Sequence, residues 1–213
     1  MKPVYLTLSQ PTEGLPSCSS RFWGNPDLPK GFDYPMYIDE EGDPYPYFFI
    51  CQIRLADLDI PDCPLPATGL LQFYAKIDSY LGYEAAADRI SGHISSPEDV
   101  KVLYFPDCTD MEEAVLLDED GEETSPAEMQ ITYTTVPEKY QDEHILFAAP
   151  THREWETWDP PFENWEILLQ IDSFSGSDFS LNFMDCGVLC FLIAPEDLKA
   201  GKFDNVRGIV LST

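Results

Sequence analysis

Two stretches set the fold: Ile50-Cys51-Gln52-Ile53 followed by Gly69-Leu70-Leu71-Gln72-Phe73-Tyr74, and Leu168-Leu169-Gln170-Ile171 followed by Gly187-Val188-Leu189-Cys190-Phe191-Leu192. In each, a Gln inside an apolar run precedes a strand-opening Gly by 17 residues, and the second copy lies 118 positions after the first. Two apolar strands in the same order at the same separation predict a repeated β unit. Nineteen prolines against twelve glycines favour strands and turns over long helices. The expected fold is mainly β, an α+β chain with few short helices, built from two duplicated β units related by a pseudo-twofold axis.

Working outward, residues 3–8, 46–55, 69–77, 101–105, 129–136, 165–171, 187–194 and 208–211 read as strands. Met129-Gln130-Ile131-Thr132-Tyr133-Thr134-Thr135-Val136 alternates and is rich in β-branched side chains. Pro195-Glu196-Asp197-Leu198 reads as a helix N-terminus, with Pro in the first turn and acids where the dipole favours them. A short helix is expected around residues 84–88. The prolines at 26, 29 and 35 keep residues 19–35 out of helix. One domain over 1–213 is expected, with repeat units at 20–106 and 129–213. They are joined by segment 107–128, which carries ten acids and no Lys or Arg and reads as an exposed linker.

The net charge is −27, from 39 acidic and 12 basic residues. Such a field repels nucleic acid and anionic membranes and attracts basic proteins or cations. A basic protein or peptide is therefore the expected partner, with solubility alone as the competing reading. The N-terminus lacks the apolar core of a signal peptide, and no apolar run reaches the ~20 residues that span a bilayer. A cytoplasmic monomer without membrane or nucleic-acid contact is the expectation. The six cysteines, at 18, 51, 63, 108, 186 and 190, read as reduced thiols in the interior.

The segments Trp23-Gly24-Asn25-Pro26-Asp27-Leu28-Pro29, Phe49-Ile50-Cys51-Gln52-Ile53 and Gly69-Leu70-Leu71-Gln72-Phe73 resemble those of the YwqG-like family of bacterial proteins. Trp165, Leu168-Leu169-Gln170-Ile171-Asp172, Asp185-Cys186-Gly187 and Asp197-Leu198 extend the resemblance through the second half. It implies a mainly β fold of duplicated units, distant kinship with eukaryotic ribosomal-protein chaperones of the programmed-cell-death type, and a role like that of toxin-immunity proteins. It supplies no catalytic residue. A second copy of Trp-Gly-x-Pro is not evident before Trp165.

The candidate binding residues are Gln52, Gln170, Asp172, Asp185, Trp23 and Trp158. An amide in an apolar strand must find partners, because burying one unsatisfied costs about 1–3 kcal/mol. Either each Gln bonds backbone within its own half, or the pair lines a shared groove that binds an extended peptide. Trp155, Trp158, Phe162 and Trp165 form either a recognition platform or the internal packing of a long loop. His144 and His152 read as surface residues, and neither HExxH nor CxxC occurs. The run Asp118-Glu119-Asp120-Gly121-Glu122-Glu123 lacks the spacing of a calcium loop. No cofactor and no metal site is expected. Protein binding is thus the favoured function. An enzyme of unrecognised class, using Asp172, Asp185 or a histidine as acid or base, is the alternative.

Overall fold

Alternation and continuity in the apolar pattern mark which strands face water. The computed structural model describes residues 2–39, 41–76, 94–136, 144–149, 164–183 and 187–211. The strands are β1 Val4–Ser9, β2 Arg21–Phe22, β3 Asp27–Pro29, β4 Met36–Ile38, β5 Pro44–Pro46, β6 Phe48–Arg54, β7 Leu70–Ala75 and β8 Val100–Phe105. They continue as β9 Met111–Glu113, β10 Met129–Thr134, β11 Ile145–Leu146, β12 Glu166–Asp172, β13 Phe174–Ser175, β14 Ser180–Leu181, β15 Val188–Ile193 and β16 Arg207–Leu211. One α-helix, α1 Pro195–Ala200, and one 3-10 turn, Leu55–Asp57, are present among the described residues. The α-helix opens on Pro195 with Glu196 and Asp197 in its first turn, and closes on Gly201 in the left-handed region. The expectation around 84–88 lies outside the described residues, as do Trp155, Trp158, Asp185 and Cys186.

Ten strands form one antiparallel sheet in the order β16-β15-β12-β11-β1-β10-β2-β6-β7-β8. Its edges nearly meet. The Ser95 N–H donates to the Gly208 carbonyl (2.8 Å), and the Gly208 N–H donates to Ser95 Oγ (2.7 Å), so the segment leading into β8 bridges to β16. The concave side holds the main core, including Leu6, Phe22, Cys51, Ile53, Phe73, Ile131, Leu146, Ile171 and Phe191. The outer face carries two smaller clusters. Ile145, Ile167, Val188, Cys190, Leu192 and Ile209 form one, and Tyr47, Phe49 and Tyr74 form the other. β7 and β15 are covered on both faces and so read as unbroken apolar runs. β1 and β10 bury one face only, hence their alternation.

The register shows the pseudo-twofold in detail. Gln52 pairs with Gln72 and Arg21, and Gln170 pairs with Cys190 and Ile145. Each Gln strand carries a β-bulge two residues earlier, at Ile50 and at Leu168. Leu55 N–H donates to Gly69 O at 2.9 Å, and its counterpart Ser173 N–H donates to Gly187 O at 3.1 Å. The axis passes through the Thr7–Thr132 pair, about which Tyr5–Thr134 and Ser9–Gln130 are mirrored. On the other side of the core the equivalent Phe73 and Phe191 meet edge to face, 5.1 Å between centroids. The first strands are exchanged between halves. β1 pairs with β11, and β10 pairs with β2, so neither half closes without a strand from the other.

This symmetry exposes a copy that sequence comparison missed. Trp23 and Phe147 occupy the same place after β2 and β11, both in left-handed backbone (φ 58° and 56°). Each donates its N–H to the carbonyl of a bulge residue, Trp23 to Ile50 at 2.8 Å and Phe147 to Leu168 at 3.1 Å. Phe147-Ala148-Ala149 is therefore the second-half counterpart of Trp23-Gly24-Asn25. The acidic segment 107–128 is also more than a linker. β9 pairs with β3, and a hairpin follows that is pinned by a Leu117–Glu123 bridge.

Candidate functional site

Gln52 lies at the centre of a buried polar lock on the outer face of the sheet. Its Nε2 donates to Ser19 O (2.9 Å) and Asp27 Oδ2 (2.5 Å), and its Oε1 accepts from Asp27 N–H (3.0 Å) and Gln72 Nε2 (3.1 Å). Asp27 Oδ2 further accepts from Arg21 Nη2 (3.0 Å) and Cys18 N–H (2.9 Å). Tyr74 OH donates to Gln72 Oε1 at 2.8 Å, and burial pushes its pKa well above the ordinary phenol range. Arg21, Asp27, Gln52 and Gln72 are all at most 3% exposed, so no ligand reaches them. Their work is to hold the loop of residues 15–29 on the sheet.

Gln170 is equally buried, with the Cys190 thiol 4.0 Å from its Oε1. It stands five strands away from Gln52, about 24 Å measured along the curved sheet, and both lie outside the central core, so the fold does not bring the two together. Trp23 is fully buried against Phe22, Phe174 and Phe179. A Cβ at Gly176 would overlap its ring, which makes that glycine a packing requirement. Asp172 is half-buried, and its N–H donates to His144 Nδ1 at 3.2 Å. Asp185 and Trp158 lie outside the described residues.

His144 corrects the surface reading. It is 1% exposed, packed against Phe22 and Phe174, and burial depresses its pKa to about 3. Its counterpart is Ser20, whose Oγ accepts the Arg54 N–H at 2.9 Å as His144 accepts that of Asp172. The imidazole therefore serves as a neutral acceptor inside the sheet. It has no route to a substrate.

Among the described residues, one accessible feature is a cleft that sequence reading did not anticipate. One wall is the hairpin of β4 and β5 with the following residues Tyr47, Phe48 and Phe49; the other is the acidic arm at Leu116 and Thr124-Ser125-Pro126. Tyr37 meets Tyr45 at a tilt (5.7 Å) and Tyr47 edge to face (5.0 Å), which makes the hairpin a tyrosine wall. Lys76 Nζ sits 5.1 Å over Tyr37 and Lys101 Nζ 5.3 Å over Tyr47, so these rings already receive ammonium groups. Tyr47 OH donates to Glu98 O at 2.6 Å, and burial, then Asp99 and Glu98, push its pKa up to about 12.

The arm is clamped by Asn25, whose Nδ2 donates to Glu113 Oε1 (3.0 Å) and Glu123 Oε1 (2.5 Å), while Ser125 Oγ donates to its Oδ1 (2.5 Å). At the tip, Asp118 Oδ1 accepts the N–H groups of Asp120 and Glu122, both at 2.9 Å. That carboxylate closes a turn, which explains the calcium-loop-like composition. On the two elements that carry the cleft, Met36, Ile38 and Tyr45 of the hairpin and Val115 and Leu117 of the arm stay exposed, Ile38 and Leu117 by over 60%, and of these Tyr45 lines the cleft itself. The signal that could have revealed the cleft was the pairing of an aromatic Pro-Tyr-Pro-Tyr run with aliphatics inside an acidic segment.

No group of three or more metal-ligating side chains exists among the described residues. No helix among them is long and apolar enough to cross a membrane. No curated protein matches the chain. A family model described as a domain of unknown function, DUF1963, matches residues 20–159 and again residues 123–210, and together the two matches run from β2 to β16. With that coverage, the chain belongs to the DUF1963 family.

Proposed function

We propose that the chain is a YwqG-like bacterial protein acting as a protein-binding module, which takes an extended basic segment of a partner protein into the cleft between tyrosine hairpin and acidic arm. The supporting observation is a cleft lined by Tyr34, Tyr45, Tyr47 and Leu116, with exposed apolar side chains on the same two elements, Met36, Ile38, Val115 and Leu117, among the arm's carboxylates. Isolated exposed aliphatics need no explanation, but several around one aromatic cleft mark an interaction surface. The cleft encloses about 150 Å³. Small-molecule sites run to roughly 300–1,000 Å³, so this one suits a single side chain of a bound segment.

Charge selects the occupant. A net charge of −27 with no Lys or Arg in residues 107–128 steers lysine- or arginine-rich segments toward the arm. An aliphatic residue of the segment would cover the exposed rim while its cations face the carboxylates. The correspondence between the two halves is read as a duplication, and a cytoplasmic monomer is the working state. An immunity-like or dedicated-chaperone role fits such capture.

The test uses labelled synthetic peptides and fluorescence anisotropy. An alternating Lys/Leu peptide is compared with a Lys/Ser peptide of equal charge and with a Glu/Leu peptide. The Lys/Leu peptide should bind tightest, and its affinity should fall with salt as the screening length shrinks from ~10 Å at 0.1 M to ~3 Å at 1 M. The double variant Tyr45→Ser, Leu117→Ser should lose the preference for Lys/Leu over Lys/Ser. Equal binding of all three peptides, or an unchanged preference in the variant, would overturn the proposal.

A further inference from the structure

The cleft between hairpin and arm has a chemistry narrower than its acidic surroundings. Tyr34, Tyr45, Tyr47, Phe48, Phe49 and Leu116 line its cavity, and among the described residues no carboxylate, lysine or arginine does so. Most hydroxyl donors on its walls are engaged. Tyr34 OH donates to the Tyr47 carbonyl (3.1 Å), Tyr47 OH to the Glu98 carbonyl (2.6 Å), Ser125 Oγ to Asn25 Oδ1 (2.5 Å) and Thr124 Oγ1 to the Leu116 carbonyl (3.4 Å). The Gly24 N–H donates to the Pro126 carbonyl at 3.0 Å. Burial first of all holds the Tyr34 and Tyr47 phenols protonated, with Tyr47 pushed up to about 12, so neither supplies a phenolate at neutral pH. The cavity therefore offers aromatic rings and apolar surface.

Negative charge surrounds this surface without entering it. Glu113 and Glu123 both accept from Asn25 Nδ2, at 3.0 and 2.5 Å, and Asn25 in turn accepts from the lining Ser125. Rings of the same hairpin wall already carry cations, Lys76 Nζ over Tyr37 and Lys101 Nζ over Tyr47. Three classes of occupant can be compared. An anion meets engaged donors and the field of a chain with net charge −27. A primary ammonium has three donors to satisfy, so entering a cavity that no carboxylate lines is costly. A quaternary ammonium has no donor to satisfy, an apolar surface, and a positive charge that ring faces attract. Its size suits the site as well, since an apolar cavity of about 150 Å³, the volume found here, accepts a group as large as benzene.

We propose that the cleft is a binding site for a quaternary ammonium, the trimethylated lysine side chain of the basic segment that the protein captures. The inference rests on the reading of the cleft as a segment-binding site and adds which side chain enters it. The segment's other cations face the arm's carboxylates, while the trimethylammonium sits among the tyrosines.

The experiment compares three forms of one labelled Lys/Leu peptide by fluorescence anisotropy with the intact chain. The central lysine is unmodified, trimethylated, or replaced by an isostere in which a carbon stands for the quaternary nitrogen. The unmodified form controls for charge and the isostere for shape. The trimethylated form should bind about tenfold tighter than either. Tyr45 is exposed, so its variants keep the fold. Tyr45→Phe should preserve the gap between the trimethylated peptide and the neutral isostere. Tyr45→Leu, which keeps apolar surface but lacks a ring, should narrow it. Equal affinity of those two peptides for the unsubstituted chain would overturn the proposal, because the site would then read bulk alone. An unmodified lysine that binds as tightly as the trimethylated one would overturn it too. Either result leaves the preference for Lys/Leu over Lys/Ser in place, and with it the reading of the cleft. Failure of every Lys/Leu form to bind would remove both.

Discussion

Acid should unfold this protein partly through one histidine. His144 has a folded-state pKa of about 3, against 6.5 for the unperturbed imidazole, because burial opposes the charged form. Between these values the unfolded chain binds a proton that the native chain does not, so stability falls as pH is lowered below 6.5. The slope is about 1.4 kcal/mol per pH unit, which amounts to about 2 kcal/mol between pH 7.5 and pH 5. The variant to compare is His144→Ser, because Ser20 fills the equivalent place and a hydroxyl there accepts the equivalent backbone N–H. The substitution leaves a cavity and lowers stability at every pH, but it removes the titrating group. Urea unfolding of both proteins across pH 5 to 7.5 gives the difference directly. Wild type should lose about 2 kcal/mol more than the variant over that range. Parallel profiles would refute the reasoning, since they would mean that His144 titrates normally in the fold.

The polar lock and the core make further predictions. Asp27→Asn takes from the buried Arg21 one of its two carboxylate partners, leaving Glu128 at 3.2 Å, and should cost about 1.5–3 kcal/mol in chemical denaturation. Phe73→Ala and Phe191→Ala should each cost about 3–5 kcal/mol. Their double variant should cost less than the sum, because the two rings share one contact on the pseudo-twofold axis, and a double-mutant cycle on urea midpoints reads that coupling.

Much of the fold is legible in residues 48–54 and 166–172, whose Gln positions, following glycines and apolar runs announce repeated strands. Apolar pattern is a local property of the chain, so strand β10, the Pro195 helix start and both central hairpins follow from it. The two-residue strands β2 and β11 do not, because they are too short to show any period. For the same reason the Phe147-Ala148-Ala149 copy stays hidden until the register aligns it with Trp23-Gly24-Asn25. The site residues divide in the same way. A Gln in an apolar run declares that it needs partners, and the chain cannot say that Asp27 and Gln72 are those partners for Gln52.

By itself, then, the amino-acid order determined a mainly β chain, its internal echo and a net charge of −27. Composition and local periodicity suffice for these, since charge adds without regard to fold and strand faces alternate along the backbone. The exchange of β1 and β10, the burial of His144 and the tyrosine cleft were decided only by tertiary structure. Each depends on which distant segments share a strand pair, and that choice comes from closing one core around Phe73 and Phe191, a cooperative event that no local stretch encodes.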